Sequence, residues 1–297
     1  MEASEHGWAQ SAPARVLLIG CGQLGTRLGT RLVREGTEVV AVRRDPSGLP
    51  SAFAAVAADL GRPLAQPLPS ADAMVITLPP DDQSSDGVAG YRSALEHLAQ
   101  ALPTVPPRVL FVSSTRVFDG VPGARPISEA DEPVPGSDRA RALREGELLA
   151  VERFAAHIIR PAGIYGPGRE SLIRRVAAGT PVQHARRTNR IHETDLVRAL
   201  HAMLLTGTPP AVLHAVDQTP APLGDVAAHI AERLGVAPPP AIEPVVSSGT
   251  VLDGALLASL LGSLTHAGYR SGYDELLRGW SAPRRRRVAD RASPHST

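Results

Sequence analysis

Gly20-Cys21-Gly22-Gln23-Leu24-Gly25 sets three glycines at the spacing G-x-G-x-x-G. That spacing lets backbone amides close around a pyrophosphate. Gly20 makes the tight turn, Gly22 lets phosphates approach the backbone, and Gly25 lets the next helix pack close to its strand. Gln23 and Leu24 start that helix, whose free N–H groups and positive end attract anions. Arg43-Arg44 come next, with Arg43 lying 23 positions after Gly20. An acid about 20 residues after the loop holds a ribose 2′-OH, whereas an arginine there suits a 2′-phosphate. The expected cofactor is therefore NADP(H) in preference to NAD(H), with Asp45 able to take a ribose hydroxyl instead. Asp59 is expected either to border the adenine or to cap a turn. Cys21 reads as a small loop filler rather than a redox thiol.

These residues need a strand before them and a helix after. Arg15 to Gly20 is a short apolar run that reads as a buried strand, and Gln23 to Arg34 carries Leu24, Leu28 and Leu32 at helical spacing. Further strands are expected at Glu38–Val42, Ala52–Ala57, Ala73–Leu78, Arg108–Val112 and His157–Arg160, with helices at Tyr91–Leu102 and Asp138–Arg153. That alternation predicts an α/β fold with a doubly wound parallel (Rossmann) sheet. After Gly168 the pattern shifts. Helices are expected at Glu170–Ala178, Thr194–Leu205 and Leu223–Leu234 and a strand at Val212–Val216, while Val182–Arg187 is irregular. The expected division is a flexible 1–13, a Rossmann domain over 14–168 completed by 189–216, a smaller substrate lobe from 169–188 and 217–280, and a disordered basic tail over 281–297 that includes Arg284 to Arg287.

Composition narrows the function. The 297 residues suit one large domain or two unequal lobes, and 43% hydrophobic with 21% charged residues describes a soluble globular chain. A formal net charge of +1 gives no electrostatic case for nucleic acid or membranes. One cysteine excludes an intramolecular disulfide and any cysteine-cluster metal site. No H-E-x-x-H or G-x-S-x-G spacing occurs, and no metal is expected. The start MEASEHGWAQSAPA lacks the basic and apolar parts of a secretion signal, so the cytoplasm is expected. There is no lysine: all 31 basic residues are arginine, so no Schiff-base or P-loop lysine can exist.

Three further segments follow the glycine loop in order: Val112-Ser113-Ser114-Thr115-Arg116-Val117-Phe118, Arg160 to Gly168, and Asn189-Arg190-Ile191-His192-Glu193-Thr194-Asp195-Leu196. Together, over about Arg15 to Trp280, the chain resembles an extended short-chain dehydrogenase/reductase of the NAD-dependent epimerase/dehydratase family. The resemblance implies that Ser114 hydrogen-bonds a substrate oxygen. It also implies a tyrosine four residues before a lysine on the next helix, the lysine lowering the tyrosine pKa. This chain departs there. Its tyrosines stand only at 91, 165, 269 and 273. One register places Ser137 and Arg141 at the two sites, another Arg139 and Leu143. The chain thus resembles the atypical branch that lacks the Tyr-x-x-x-Lys pair, with Arg141 a candidate to hold the nicotinamide ribose but no proton donor.

Tyr165, with Ser114 and Thr115, is the candidate proton-moving group, or a water held by the serines is, set against a packed tyrosine with a satisfied hydroxyl. His192 and Asp195 could form a His-Asp relay, but the resemblance implies lobe packing and helix capping there, with Thr194 or Asp195 as the cap. Arg169, Arg186, Arg187 and Arg190 are either a phosphate- or carboxylate-binding set or a solvated face. Two functions result. One is an NAD(P)(H)-dependent oxidoreductase or epimerase acting on a carbonyl or hydroxyl carbon of a small molecule, with nucleotide sugars the relatives' common substrates. The other is a catalytically reduced NADP(H)-binding redox sensor or regulatory module. A monomer or homodimer with a small-molecule partner fits both.

Overall fold

In the computed structural model, which describes residues 12–79 and 87–280, the apolar runs become strands buried on both faces. The chain runs β1 (Arg15–Ile19), α1 (Gln23–Arg34), β2 (Glu38–Arg43), β3 (Ala54–Ala57), β4 (Ala73–Ile76), α2 (Gly87–Ala101), β5 (Arg108–Val112), β6 (Pro126–Ile127), α3 (Asp138–Phe154) and β7 (His157–Pro161). It continues through β8 (Gly163–Tyr165), α4 (Ser171–Ala177), β9 (Arg187–Thr188), β10 (Arg190–His192), α5 (Glu193–Leu205), β11 (Val212–Ala215), β12 (Ala221–Pro222), α6 (Leu223–Leu234), β13 (Val251–Leu252), α7 (Ala255–Leu261) and α8 (Tyr269–Arg278).

Seven strands form one parallel sheet in the order β11-β7-β5-β4-β1-β2-β3. This is the expected doubly wound α/β architecture. The pleat sends alternate residues to opposite helical layers. Val16, Leu18, Val39 and Ala41 pack with Leu28 of α1 and Leu200 of α5. Leu17, Ile19, Val40 and Val42 pack with Leu95 of α2 and Phe154 of α3. Because both faces are covered, Val16 to Ile19 is apolar without a break rather than alternating. From β1 the chain winds outward through β2 to β3, then returns to β4 and winds the other way to β11. The carboxyl ends of β1 and β4 therefore border the crevice where such sheets bind ligands.

A separate core lies in the carboxyl-terminal part. Tyr165, Ile173, Val176, Val226, Ile230, Tyr269 and Tyr273 join β8, α4, α6 and α8. Leu257 of α7 instead packs in the sheet layer of α1 and α5, so 217–280 divides between the two cores. The irregular stretch Val182–Arg187 is tied down by bridges from Val182 to Ala241 and from Arg186 to Ser248. Helix α2 begins ahead of the expected Tyr91, and α7 and α8 have no counterpart in the expected elements. The amino-terminal residues 1–11, residues 80–86 and the tail 281–297 with Arg284 to Arg287 lie outside the described residues. Among the described residues no helix is long and apolar enough to cross a membrane.

Candidate functional site

The strand ends after β1, β2, β3 and β4 enclose a cleft of about 980 Å³ lined by Gly20, Cys21, Gly22, Arg43, Arg44, Asp45, Asp59, Leu78 and Pro79, with Ala89 to Ala94 of α2 facing them. The glycine loop is built as its sequence requires. Gly20 has φ +77°, and a Cβ there would stand 2.9 Å from Leu78 Cδ2. Its N–H donates to Val42 O at 2.9 Å, and Thr77 Oγ1 donates to its carbonyl at 2.9 Å. A Cβ on Gly22 would meet nothing nearer than Gly20 O at 3.8 Å, so a ligand has free approach there. A Cβ on Gly25 would stand 3.1 Å from Cys21 Sγ, so the third glycine packs α1 against the loop itself rather than against β1. No side chain caps α1 and its first turn has no acid, which leaves N–H groups and positive potential for an anion. These features fit a dinucleotide pyrophosphate. Leu24 turns into the core, and Gln23 turns towards the loop after β8 rather than into the cleft.

Beside the glycine loop Arg43 is half-buried and donates from Nη1 to Cys21 O at 3.2 Å, while Arg44 and Asp45 are exposed. Hydrogen bonds from Ser47 hold the Asp45 carboxyl below its ordinary range. Asp59 lines the cleft, and its Oδ1 accepts from Gly61 N at 3.1 Å as a turn cap does. The contribution of Leu78, Pro79 and α2 was missed, although the rule that ligands sit at strand carboxyl ends pointed to Leu78. Tyr91 Oη fixes that segment by donating to Leu78 O at 3.0 Å.

Beside this cleft, β4 and β5 run in register with Ile76 opposite Phe111, so Leu78 and Ser113 leave the sheet side by side. Ser114 Oγ accepts from Arg116 N at 3.2 Å, and Thr115 Oγ1 donates to Pro161 O at 3.4 Å. Ser113, which sequence reasoning passed over, holds a buried hydroxyl without a hydrogen-bond partner. On α3, Ser137 is the helix cap, with Oγ accepting from Ala140 N at 3.2 Å. Arg141 does not line the cleft; it is exposed and paired with Asp138. Leu143 is the buried member of its register, packed with Val117, Phe118 and Ala162.

Tyr165 is placed differently from a proton donor at the strand-end cleft. Its ring is 3% exposed, stacked on Tyr273 at 4.7 Å and edge-on to His192 at 5.1 Å. Its hydroxyl lies directly against Gly272 of α8, where no Cβ would fit. Burial first, then the nearby Asp217, raises its pKa far above the ordinary phenol value. Arg190 is likewise buried rather than part of an open arginine face.

His192, His266 and Glu275 bring potential metal-ligand atoms within 4.8 Å of one another. His266 Nε2 faces Glu275 Oε2 at 3.3 Å. His192 Nδ1 accepts from Thr194 N at 3.3 Å, which puts the ring proton on Nε2 and makes that atom a donor. Asp195 holds the facing loop by accepting from Thr265 N and His266 N, each at 2.8 Å.

No protein-family model matches the chain. Protein YeeZ of Escherichia coli (strain K12) is 28% identical over 261 residues, 84% of this chain and 94% of that protein. The 3-diazoavenalumate denitrifying reductase of a Streptomyces species is 30% identical over 267 residues, 80% of this chain and 87% of that protein. A dTDP-4-dehydrorhamnose reductase of Mycobacterium tuberculosis (strain H37Rv) is 29% identical over 252 residues, 79% and 80% of the two chains. Among solved structures, one assigned as an NAD-dependent epimerase/dehydratase from Methylobacillus flagellatus superposes with a TM-score of 0.76 at 29% identity, covering 89% of this chain and 98% of that one. MoeE5 in complex with UDP-glucose and NAD superposes with a TM-score of 0.71 at 25% identity, covering 89% and 97%.

Proposed function

Because the chain belongs to the NAD-dependent epimerase/dehydratase family, we propose that it binds NADP(H) in preference to NAD(H) and acts on a carbonyl or hydroxyl carbon of a small molecule, as a cytoplasmic monomer or homodimer. The observation that carries this reading is the cleft, which joins the open Gly22, the uncapped α1 and the Arg43-Arg44 pair in one continuous surface. Gly20, Gly22 and the first turn of α1 would take the pyrophosphate, with Gln23, Leu24 and Gly25 fixing that turn. Arg43 and Arg44 would take the 2′-phosphate and Asp59 would border the adenine. A nucleotide sugar is the favoured substrate class: one relative is named for a dTDP-sugar and MoeE5 was solved with UDP-glucose.

The bound dinucleotide would supply hydride chemistry, and the chain would orient the substrate against it. Ser114 polarises the substrate oxygen, supported by Thr115. With Tyr165 packed against α8, the proton is moved by a water held between the serine hydroxyls. Arg141 reaches the ribose only by leaving Asp138. Residues 169–188 and the part of 217–280 packed around Tyr165 form the substrate lobe.

Titration with NADPH and, separately, NADH, read by dihydronicotinamide fluorescence, tests the cofactor assignment. NADPH should bind about tenfold tighter, the worth of one charge-assisted phosphate contact, and Arg44→Ala should erase the difference. Preference for NADH would move the ribose role to Asp45. Binding of neither would sink the reading. A second reading, a cofactor-holding sensor without turnover, is favoured by the absence of any lysine and by the apolar Leu143 on α3. Ser114→Ala separates the two: the enzyme loses turnover and keeps cofactor, whereas the sensor keeps its response to a partner.

A further inference from the structure

Glu193 opens α5 with a fully buried side chain. Three groups from distant parts of the chain face it. Gln23 Nε2 donates to its Oε2 at 3.2 Å, Arg27 Nε stands 3.0 Å from the same oxygen, and Arg169 Nε stands 3.6 Å from Oε1. Two of the three are committed. Gln23 Nε2 also donates to Pro167 O at 2.6 Å, and Arg27 Nη2 donates to the same carbonyl at 3.2 Å. Arg169 is not. Its distance is too long for an N–H···O hydrogen bond, and both its Nε and Glu193 Oε1 are buried atoms without a hydrogen-bond partner.

This loose ion pair stands next to the first turn of α1. Gly168, with φ +84°, brings the chain so close that a Cβ would lie 2.9 Å from Gln23 Nε2. Arg169 is the next residue, and its side chain is 32% exposed. Burial pushes the Glu193 carboxyl up, and the two arginines pull it back towards ionisation. A guanidinium fork matches phosphate oxygens geometrically and binds them more strongly than a neutral donor does.

We propose that Arg169 is the side chain that meets the dinucleotide's pyrophosphate, and that Glu193 is the positioning residue that holds it in reserve in the free chain. The inference rests on the cofactor reading above. No covalent bond changes: Arg169 exchanges one anion for another. Arg27 remains on Glu193 after the exchange, so the buried carboxylate is not left without a counter-ion, which would be costly.

The test uses the full chain, with NADH binding read by fluorescence and with displacement by adenosine 5′-diphosphate and by adenosine. Arg169→Gln should weaken NADH and the diphosphate about tenfold, the worth of one charge-assisted hydrogen bond, and leave adenosine unchanged. Glu193→Gln should tighten NADH about threefold, because the arginine is released. Opposite signs are the signature, since a merely structural role would make both variants bind more weakly. Thermal melts separate a folding defect from a binding effect. Arg169→Gln with unchanged NADH affinity, or a loss in both variants, overturns the inference while the wild-type titration leaves the cofactor reading standing. A wild-type chain that binds neither NADH nor NADPH overturns the cofactor reading itself, and this inference with it.

Discussion

Two buried arginines show how differently the two cores of this molecule are built. Arg160, on β7, donates from Nε and Nη2 to the two oxygens of Glu147 on α3, each at 2.8 Å, and both side chains are within 2% of full burial. Arg190, on β10, bonds Thr188 Oγ1 at 2.7 Å through Nη2, but its Nη1 has no hydrogen-bond partner. Nor has Oδ2 of the neighbouring buried Asp217. Tyr165 Oη, His192 Nε2 and His266 Nδ1 share that condition in the same lobe. Buried polar atoms are normally paired, and leaving them unpaired costs stability. The sheet thus closes its buried arginine into an ion pair while the smaller lobe leaves Arg190 and Asp217 partly unpaired, although the sheet too keeps unpaired buried atoms at Ser113 and at both ring nitrogens of His214. Arg160 is expected to answer to the loss of its partner, and Asp217 and His192 to protons.

Breaking the closed pair should give the largest effect. Glu147→Ala leaves the Arg160 guanidinium buried and alone, which costs about 3–5 kcal/mol. Urea unfolding at neutral pH measures it. A loss under about 1 kcal/mol would mean that water reaches Arg160 and that the contrast between the cores is false.

Asp217 sharpens the lobe's side of the contrast. Burial, opposed by a hydrogen bond from Thr219 N, pushes its carboxyl up to about 7. The unfolded chain titrates near 3.9. The folded chain therefore holds this proton more tightly, and the stability it confers is complete below the unfolded value and lost as pH rises towards 7. The full loss is on the order of 4 kcal/mol. Asp217→Asn cannot titrate, so its stability should gain on the wild type between pH 5 and pH 8. Parallel stability curves for the two chains would show that Asp217 is ionised and paired.

How much of this was written locally in the sequence follows the same division. Strands buried on both faces are unbroken apolar runs, so β1, β2 and β4 were legible, as was the glycine loop between β1 and α1. The lobe was not. Strands β8 and β10 have three residues each and pair with one another across Ile164 and Ile191, too short to show a period. Helix α8 carries Gly272 in its interior, which weakens a helical signal, yet that glycine is what admits the Tyr165 hydroxyl. Nothing near Tyr165 announces a glycine so far along the chain, so its position beside the expected active site suggested chemistry where the structure has packing. The contact of Gln23 with Glu193 is equally invisible, because neither residue's neighbours refer to the other.

His192 gives the smallest of these effects and the most specific one, because its sign opposes that of Asp217. Burial, aided by the adjacent His266, lowers its pKa to about 4, against about 6.5 in the unfolded chain. The folded ring stays neutral where the unfolded ring takes a proton. Stability is therefore complete above pH 6.5 and is lost as pH falls towards 4, by about 3 kcal/mol in full. Over that window the slopes from Asp217 and His192 oppose each other, so their two contributions largely cancel in the wild type. Single variants expose the balance. His192→Asn keeps an acceptor for Thr194 N at the start of α5 and removes the titration. It should leave the slope of Asp217 uncovered: relative to the wild type its stability falls as pH rises from 4 to 6.5, while the buried His214, whose pKa is likewise lowered to about 4, acts alike in both chains. Asp217→Asn should leave the reverse slope. If His192→Asn and the wild type respond alike to pH, the ring is already protonated or hydrated in the folded chain, and the lobe's polar atoms are not as isolated as their geometry implies.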